Sequence, residues 1–251
     1  MSDDRSMDVS VRVPPDFQQQ LWDAAGFFWR KRGRQAESQA AGGRRDQGAR
    51  AAVTGGKQMS GFEELVRRLL EENEVPGDCV FLGKKLELPG YFGPTKMWDL
   101  LIVHRQRLLA AVEFKSQVGP SFGNNFNNRV EEAIGSATDI WKAYRENAFS
   151  ETPKPWLGYM FMLEDCPGST APVSVREPHF PVFPVFKDAS YAQRYEELCR
   201  RLIRERLYNR AAFLMSKKDD LDGTSLREPS RELAVLPFVR ELAFYVKTNL
   251  E

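Results

Sequence analysis

Asp99, Glu113 and Lys115 are the residues of this chain whose types and spacing can do chemistry. They sit in Trp98-Asp99-Leu-Leu-Ile-Val-His104, the polar break Arg105-Gln106-Arg107, and Leu108-Leu-Ala-Ala-Val-Glu113-Phe-Lys115-Ser-Gln117. Two apolar runs meeting at a short polar break predict a β-hairpin. With Gln106 at the middle of the turn, antiparallel pairing sets Asp99 opposite Glu113. Side chains alternate along a strand, so Glu113, Lys115 and Gln117 share one face, and Asp99 joins it. Two facing carboxylates repel, and burying each unpaired charge among aliphatic neighbours costs on the order of several kcal/mol. A divalent cation such as Mg²⁺ offsets both penalties, because it takes carboxylate oxygens and keeps positions for water and phosphate. A lysine beside it can hold a phosphate oxygen or the attacking water. The plainer alternative is a surface Glu–Lys pair with Asp99 in a turn, since Glu-x-Lys is a common tripeptide.

The elements that must position these groups can be read around them. Asp16 to Trp29 has apolar residues at helical spacing. Ser60 is placed to cap a helix from Gly61 to Asn73, with Glu63 completing a capping box. Strands are predicted over Cys79–Leu88, Met97–His104, Leu108–Gln117 and Trp156–Leu163. Helices are predicted over Phe126–Phe149, Tyr191–Met215 and Arg231–Thr248, with Pro172–Pro184 as an ordered surface loop. This order gives an α/β fold with a mixed central sheet flanked by helices, an N-terminal helical arm and C-terminal helices.

Composition narrows the function. The 251 residues are 42% apolar and 12% aromatic, enough for a sizeable core, and 36 basic residues against 35 acidic leave a net charge of +1. No bulk field therefore draws the chain to nucleic acid or membrane. No apolar run is long enough to span a bilayer, and the acidic, polar start is unlike a signal peptide, so a soluble, unexported protein is expected. Three scattered cysteines fit reduced thiols in a cytoplasm. The presence of only His104 and His179 argues strongly against a multi-histidine metal centre. The neutral total hides segregation. Arg30 to Lys57 carries eight basic residues, among them Arg44, Arg45 and Lys57, against two acids, and Arg194 to Lys218 carries eight against three. Such stripes are either a polyanion footprint or solvated helix faces. Thr54-Gly-Gly-Lys57 lacks the first glycine and the Ser/Thr of a phosphate loop.

The wider text is more specific. Asp-x13-Glu-x-Lys across a hairpin, with an acidic helix before and a helix after, resembles the PD-(D/E)XK nuclease core. Gly83-Lys-Lys-Leu-Glu-Leu-Pro-Gly-Tyr-Phe-Gly-Pro94, Glu113-Phe-Lys-Ser-Gln117, Gly123-Asn-Asn-Phe-Asn-Asn-Arg129-Val-Glu-Glu-Ala-Ile-Gly135 and Glu177-Pro-His-Phe-Pro-Val-Phe-Pro-Val-Phe-Lys187 together resemble the XhoI family of type II restriction endonucleases. One departure is Trp98, where the generic motif has proline before the aspartate.

The resemblance implies a Mg²⁺-dependent homodimer that cuts double-stranded DNA at the palindrome CTCGAG and leaves 5′-phosphates. A bacterial cytoplasm and a cognate DNA methyltransferase as functional partner follow from it. Asp99, Glu113 and the Phe114 carbonyl would then hold the metal, with Glu64, or Glu63 beside it, as an extra acid, and Lys115 would orient the water. Asn124, Asn125, Asn127, Asn128 and Arg129 suit base edges and phosphate near a helix N-terminus, although asparagines are also ordinary turn and cap residues. Gln117, Arg44, Arg45 and Lys57 complete the expected DNA contacts. The expected organisation is one elaborated nuclease domain. Within it, residues 1–58 form the N-terminal helix and basic arm, 60–165 the catalytic core, and 166–251 the loop and C-terminal helices. A repair or recombination nuclease of the same fold and a non-catalytic DNA-binding module are the alternatives. An accompanying ATP motif would favour the first and loss of the carboxylates the second, and the chain has neither feature.

Overall fold

A computed structural model describes residues 10–41, 58–149 and 153–250, with side chains up to residue 35 in the first stretch. Arg44, Arg45, Lys57 and most of the basic arm lie outside the described residues. Helix α1 is Phe17–Ala41 and α2 is Ser60–Glu72. A five-stranded sheet follows, ordered β1 (Val80–Leu82), β4 (Leu100–His104), β5 (Arg107–Gln117), β6 (Trp156–Glu164) and β7 (Arg210–Ser216). The first three are antiparallel neighbours, while β5, β6 and β7 run parallel, so the sheet is mixed. Strands β2 (Glu87–Pro89) and β3 (Thr95–Met97) form a separate two-stranded ribbon. Helices α3 (Phe122–Arg145) and α4 (Tyr191–Arg204) provide the connections between the parallel strands, and α5 (Val235–Thr248) ends the fold.

The sheet separates two apolar layers. On one face, α1, α2 and α5 pack through Phe28, Phe62, Val66, Phe238 and Leu242 against Leu100, Val112 and Phe114. On the other, α3 and α4 pack through Ala137, Ile140, Tyr195 and Leu198 against Leu101, Ala111 and Phe161. No helix of the described residues is long and apolar enough to cross a membrane.

Several expectations are corrected. The run read as the end of one helix, Ala211 to Met215, is the buried strand β7. Covered on both faces, it shows no polar alternation, so its apolar run looks the same as a buried helix segment. The chain leaves α4 through Arg206 at φ 57°, a left-handed residue that ends the helix, and the N–H groups of Leu207 and Tyr208 turn back to the Leu202 carbonyl. The predicted strand Cys79–Leu88 is two strands, β1 and β2, divided by Gly83 at φ 69° and Lys85 at φ 57°. The predicted Met97–His104 strand is likewise split between β3 and β4. Helix α1 continues to Ala41, twelve residues beyond Trp29, and α3 starts four residues early, at Phe122. Ser60 is already helical; Met59 precedes the helix and no capping box forms. The apolar face of α5 packs into the core, where Val239, Leu242 and Val246 are buried.

The second basic stripe is partly neutralised. Arg200 pairs with Glu196 and Glu232, Arg201 with Glu197, and Arg210 with Glu241. Arg194 donates to the carbonyls of Ala189 and Val173. Its basic residues also divide between α4, the turn after it and β7, so they form no single face.

Candidate active site

The hairpin β4–β5 builds the site, although its turn is not the expected one. Arg105 and Gln106 form a two-residue turn with φ 49° and 65°, the left-handed pair that a tight hairpin needs. That turn pairs His104 with Arg107 and would displace Asp99 by one residue. A bulge between Ile102 and Val103 absorbs one residue, and Leu100 pairs with Val112, the register expected from the sequence. β4 begins only at Leu100, so at Phe114 no strand residue of β4 faces β5. The Asp99 carboxylate fills that place, with Oδ2 accepting the Phe114 N–H at 2.8 Å.

Glu113, 1% exposed, lies at the floor of a cleft of about 550 Å³ lined by Asp99, Lys115, Lys96, Arg129, Asn125, Arg32 and Gln58, among others. Its Oε1 accepts from Lys115 Nζ at 2.9 Å and from Lys96 Nζ at 3.0 Å, and its Oε2 accepts from the Tyr208 hydroxyl at 3.1 Å. The two carboxylates have opposite tendencies. Burial pushes Asp99 above the ordinary carboxylate range, against the pull of Lys115 and the Phe114 N–H. Burial also acts on Glu113, but Lys115 and Lys96 outweigh it and hold its carboxyl below that range. Lys115 loses by burial and gains more from Glu113 and Asp99, so its ammonium is favoured.

Of the acids on α2, Glu63 rather than Glu64 bears on this site. Burial first, and then the negative charge of Asp99, push the Glu63 carboxyl up to about 7. Glu64 is engaged by Arg67 and Arg68 and lines a different depression, with Arg30 and Ser60. Carboxylate oxygens from Asp99 and Glu113 make a hard donor pair that suits a small divalent cation. The cation would also satisfy the crowded negative charge that burial disfavours.

The structure brings some of the other expected residues to the cleft and leaves others out. Asn125 and Arg129 line it, whereas Asn124, Asn127 and Asn128 are exposed on the first turns of α3. Gln117 also lines it, but its amide is used internally: Nε2 donates to the Ser121 carbonyl at 3.1 Å and Oε1 accepts from the Tyr195 hydroxyl. It braces the start of α3 and has no free amide end for a base edge. The reading of the sequence missed Lys96, Arg32, Gln58 and Tyr208. Arg32 donates to Gln58 at 3.1 Å, so the basic half of α1 reaches the cleft. Lys96 had a signal in its motif, Leu-Pro-Gly-Tyr-Phe-Gly-Pro, whose turn residues announce a ribbon. Tyr208, 95 residues from Glu113, had none.

A mixed sheet flanked by helices, with two carboxylates and a lysine at the diverging end of a hairpin, defines a restriction-endonuclease-like core. Comparison with known proteins gives the family. The model of the family described as restriction endonuclease XhoI matches residues 38–227. The type II restriction enzyme BstVI of Geobacillus stearothermophilus is 54% identical over 211 residues, covering 82% of this chain and 94% of that protein. XhoI of Xanthomonas vasicola is 49% identical over 158 residues, 62% of this chain and 64% of that enzyme. AbrI of Azospirillum brasilense is 45% identical over 166 residues, 66% and 74%. No solved structure matches. The chain belongs to the XhoI restriction endonuclease family and is a type II restriction endonuclease, an enzyme of site-specific DNA cleavage.

Proposed function

We propose that this enzyme makes Mg²⁺-dependent double-strand cuts at CTCGAG and leaves 5′-phosphate ends. The observation that carries the chemistry is the convergence of Asp99, Glu113 and Lys115 in one cleft whose walls supply Lys96, Arg129 and Arg32. Identity of 54% and 49% to two type II restriction enzymes supports a target shared with the family.

Asp99, Glu113 and the Phe114 carbonyl would hold the cation. Bound there, Mg²⁺ supplies positive charge to the scissile phosphate and acidifies a water. Lys115 positions the attacking water and a phosphate oxygen, and Tyr208 holds Glu113 from behind. Displacement of the 3′-oxygen leaves the phosphate on the 5′ end. Asn125 and Arg129 contact the DNA from the cleft side of α3. Asn124, Asn127 and Asn128 follow the exposed side of the same turns, and Arg44, Arg45 and Lys57 neutralise phosphates. A two-fold homodimer presents two such clefts to the two scissile phosphates of a palindrome, whose dyad matches its own. The enzyme works in a bacterial cytoplasm beside a methyltransferase that protects the host's own copies of the site.

Digestion of a plasmid of known sequence with Mg²⁺, followed by end mapping, tests the proposal. Discrete fragments ending within CTCGAG, with ends that a ligase joins directly, are expected. Discrete fragments mapping elsewhere overturn the site, and a smear overturns sequence-specific cutting. DNA bound but uncut in Mg²⁺ overturns the catalytic assignment.

A further inference from the structure

The feature left over at this site is a second lysine. Lys96 Nζ and Lys115 Nζ both donate to the same oxygen, Glu113 Oε1, at 3.0 and 2.9 Å. Lys115 lies two residues along β5 from Glu113 and cannot travel far from it. Lys96 comes from the ribbon β2–β3. There it pairs across with buried Leu88 and so lies on the ribbon's inward side. Its ammonium also donates to the Met97 carbonyl at 3.2 Å and lies 5.1 Å from the centre of the Trp98 ring.

The charges of Asp99, Glu113, Lys96 and Lys115 sum to zero. One lysine balances Glu113, and the other balances Asp99, whose own carboxylate accepts the Phe114 N–H. A divalent cation entering between the carboxylates meets two ammonium groups already on the oxygen it requires. Like charges this close repel strongly away from bulk water. One of them must give way; the two side chains are comparably exposed, 28% for Lys96 and 23% for Lys115, but Lys115 is fixed on the strand that carries Glu113, whereas Lys96 comes from the separate ribbon and can swing out with it.

We propose that Lys96 is a resident counter-ion that holds the cation's place on Glu113, so that a divalent cation binds only by displacing it. The inference rests on the reading of Asp99 and Glu113 as cation ligands. Its consequence is a pair of carboxylates that stays balanced by lysines and cation-poor until something draws the ammonium off. A DNA phosphate in the same cleft carries the charge to do so, which ties cation loading to DNA.

The test is Mn²⁺ binding to the full chain without DNA, followed by calorimetry or by the loss of free-ion paramagnetic signal. Wild type, Lys96→Met, Lys96→Arg and Glu113→Gln are compared. Lys96→Met keeps a long apolar stem and leaves Lys115 on Glu113, so the carboxylate is not orphaned. Its Mn²⁺ affinity should rise about fivefold or more above wild type, the direction that removing a close like charge dictates. Lys96→Arg should bind as wild type does. A lysine that merely props up Glu113 gives the opposite sign, weaker binding in Lys96→Met. That result, unchanged affinity, no measurable binding by Lys96→Met, or equal tightening by Lys96→Arg overturns the proposal. Glu113→Gln separates the two levels. If it binds Mn²⁺ as well as wild type does, the cation is not on Glu113 and the underlying reading itself fails.

Discussion

Asp99 and Glu113 are chemically alike and electrostatically opposed, and this determines how each responds to replacement. Glu113 is stabilised as an anion by two lysines and a tyrosine, so Glu113→Gln leaves two ammonium groups without their partner. A loss of about 1–3 kcal/mol is expected after allowance for the partial exposure of both lysines. Asp99 is held against its preference for the neutral form, so Asp99→Asn should leave the metal-free protein as stable as wild type or more so at pH 7. Both variants should lose cleavage. Urea unfolding without metal, paired with a plasmid assay, checks this, and equal destabilisation by the two would contradict the contrast. Glu63 adds a pH dependence. Its carboxyl ionises near 4.5 in the unfolded chain and near 7 in the fold. Between those values the unfolded chain has released its proton and the folded one has not, so stability falls as pH rises through that window and the penalty is constant above it. Glu63→Gln should remove roughly 1–3 kcal/mol of that fall. Metal-free urea midpoints at pH 5 and pH 8 measure it, and a variant that tracks wild type at both refutes it.

At the scale of elements, the ribbon β2–β3 brings Lys96 to the cleft, and α3 holds the ribbon. Asp139 Oδ1 on α3 accepts the Tyr91 N–H at 2.9 Å and the Phe92 N–H at 2.8 Å, fixing the tip between the two strands. The outer surface of the ribbon is exposed through Phe92 and Met97. Asp139→Ala should cost about 1 kcal/mol in overall stability, since both bonds are solvent-facing. The larger effect should fall on DNA, as a several-fold rise in KM with kcat little changed. A kcat loss at constant KM would show that the ribbon serves the chemical step instead. The sheet is far less forgiving. A Cβ on Gly158 of β6 would lie 2.5 Å from the Trp156 ring and 2.6 Å from the Phe238 ring of α5. Gly158→Ala should therefore cost about 1–3 kcal/mol by overpacking, read as a lower urea midpoint with an unchanged slope.

For the whole molecule, a net charge of +1 means that attraction to DNA is local. Among the described residues the cleft gathers Arg32, Lys96, Lys115 and Arg129, the last three also paired with Glu113 or Glu132, while on α4 Arg200 and Arg201 pair with Glu196 and Glu197. Each phosphate neutralised contributes a slope of roughly −0.9 in log K against log[salt]. If these four cations meet phosphates, a slope of about −2 to −4 per subunit is expected. Binding measured across a salt series gives it, and a slope near zero would remove DNA from the cleft. Sedimentation with and without a CTCGAG duplex checks the two-fold assembly, and a monomer in both conditions would refute it.

The sequence by itself determined the pairing of Asp99 with Glu113 and Lys115, because both the hairpin and the alternation along it are local. It also determined the amphipathic helices, whose apolar spacing does not depend on what they pack against. Even there, the agreement in register needed two departures that cancel, a tighter turn and a bulge, and neither has a signature in Leu-Leu-Ala-Ala-Val. The tertiary structure alone decided the rest of the site. Lys96 and Arg32 line the cleft from β3 and α1, and Tyr208 meets Glu113 from the loop before β7; these meetings depend on distances across the fold that sequence spacing does not encode. Strand β7 was hidden for the same reason. A strand covered by helices on both faces has no solvent side to mark its period, and only its place in the sheet distinguishes it from a buried helix.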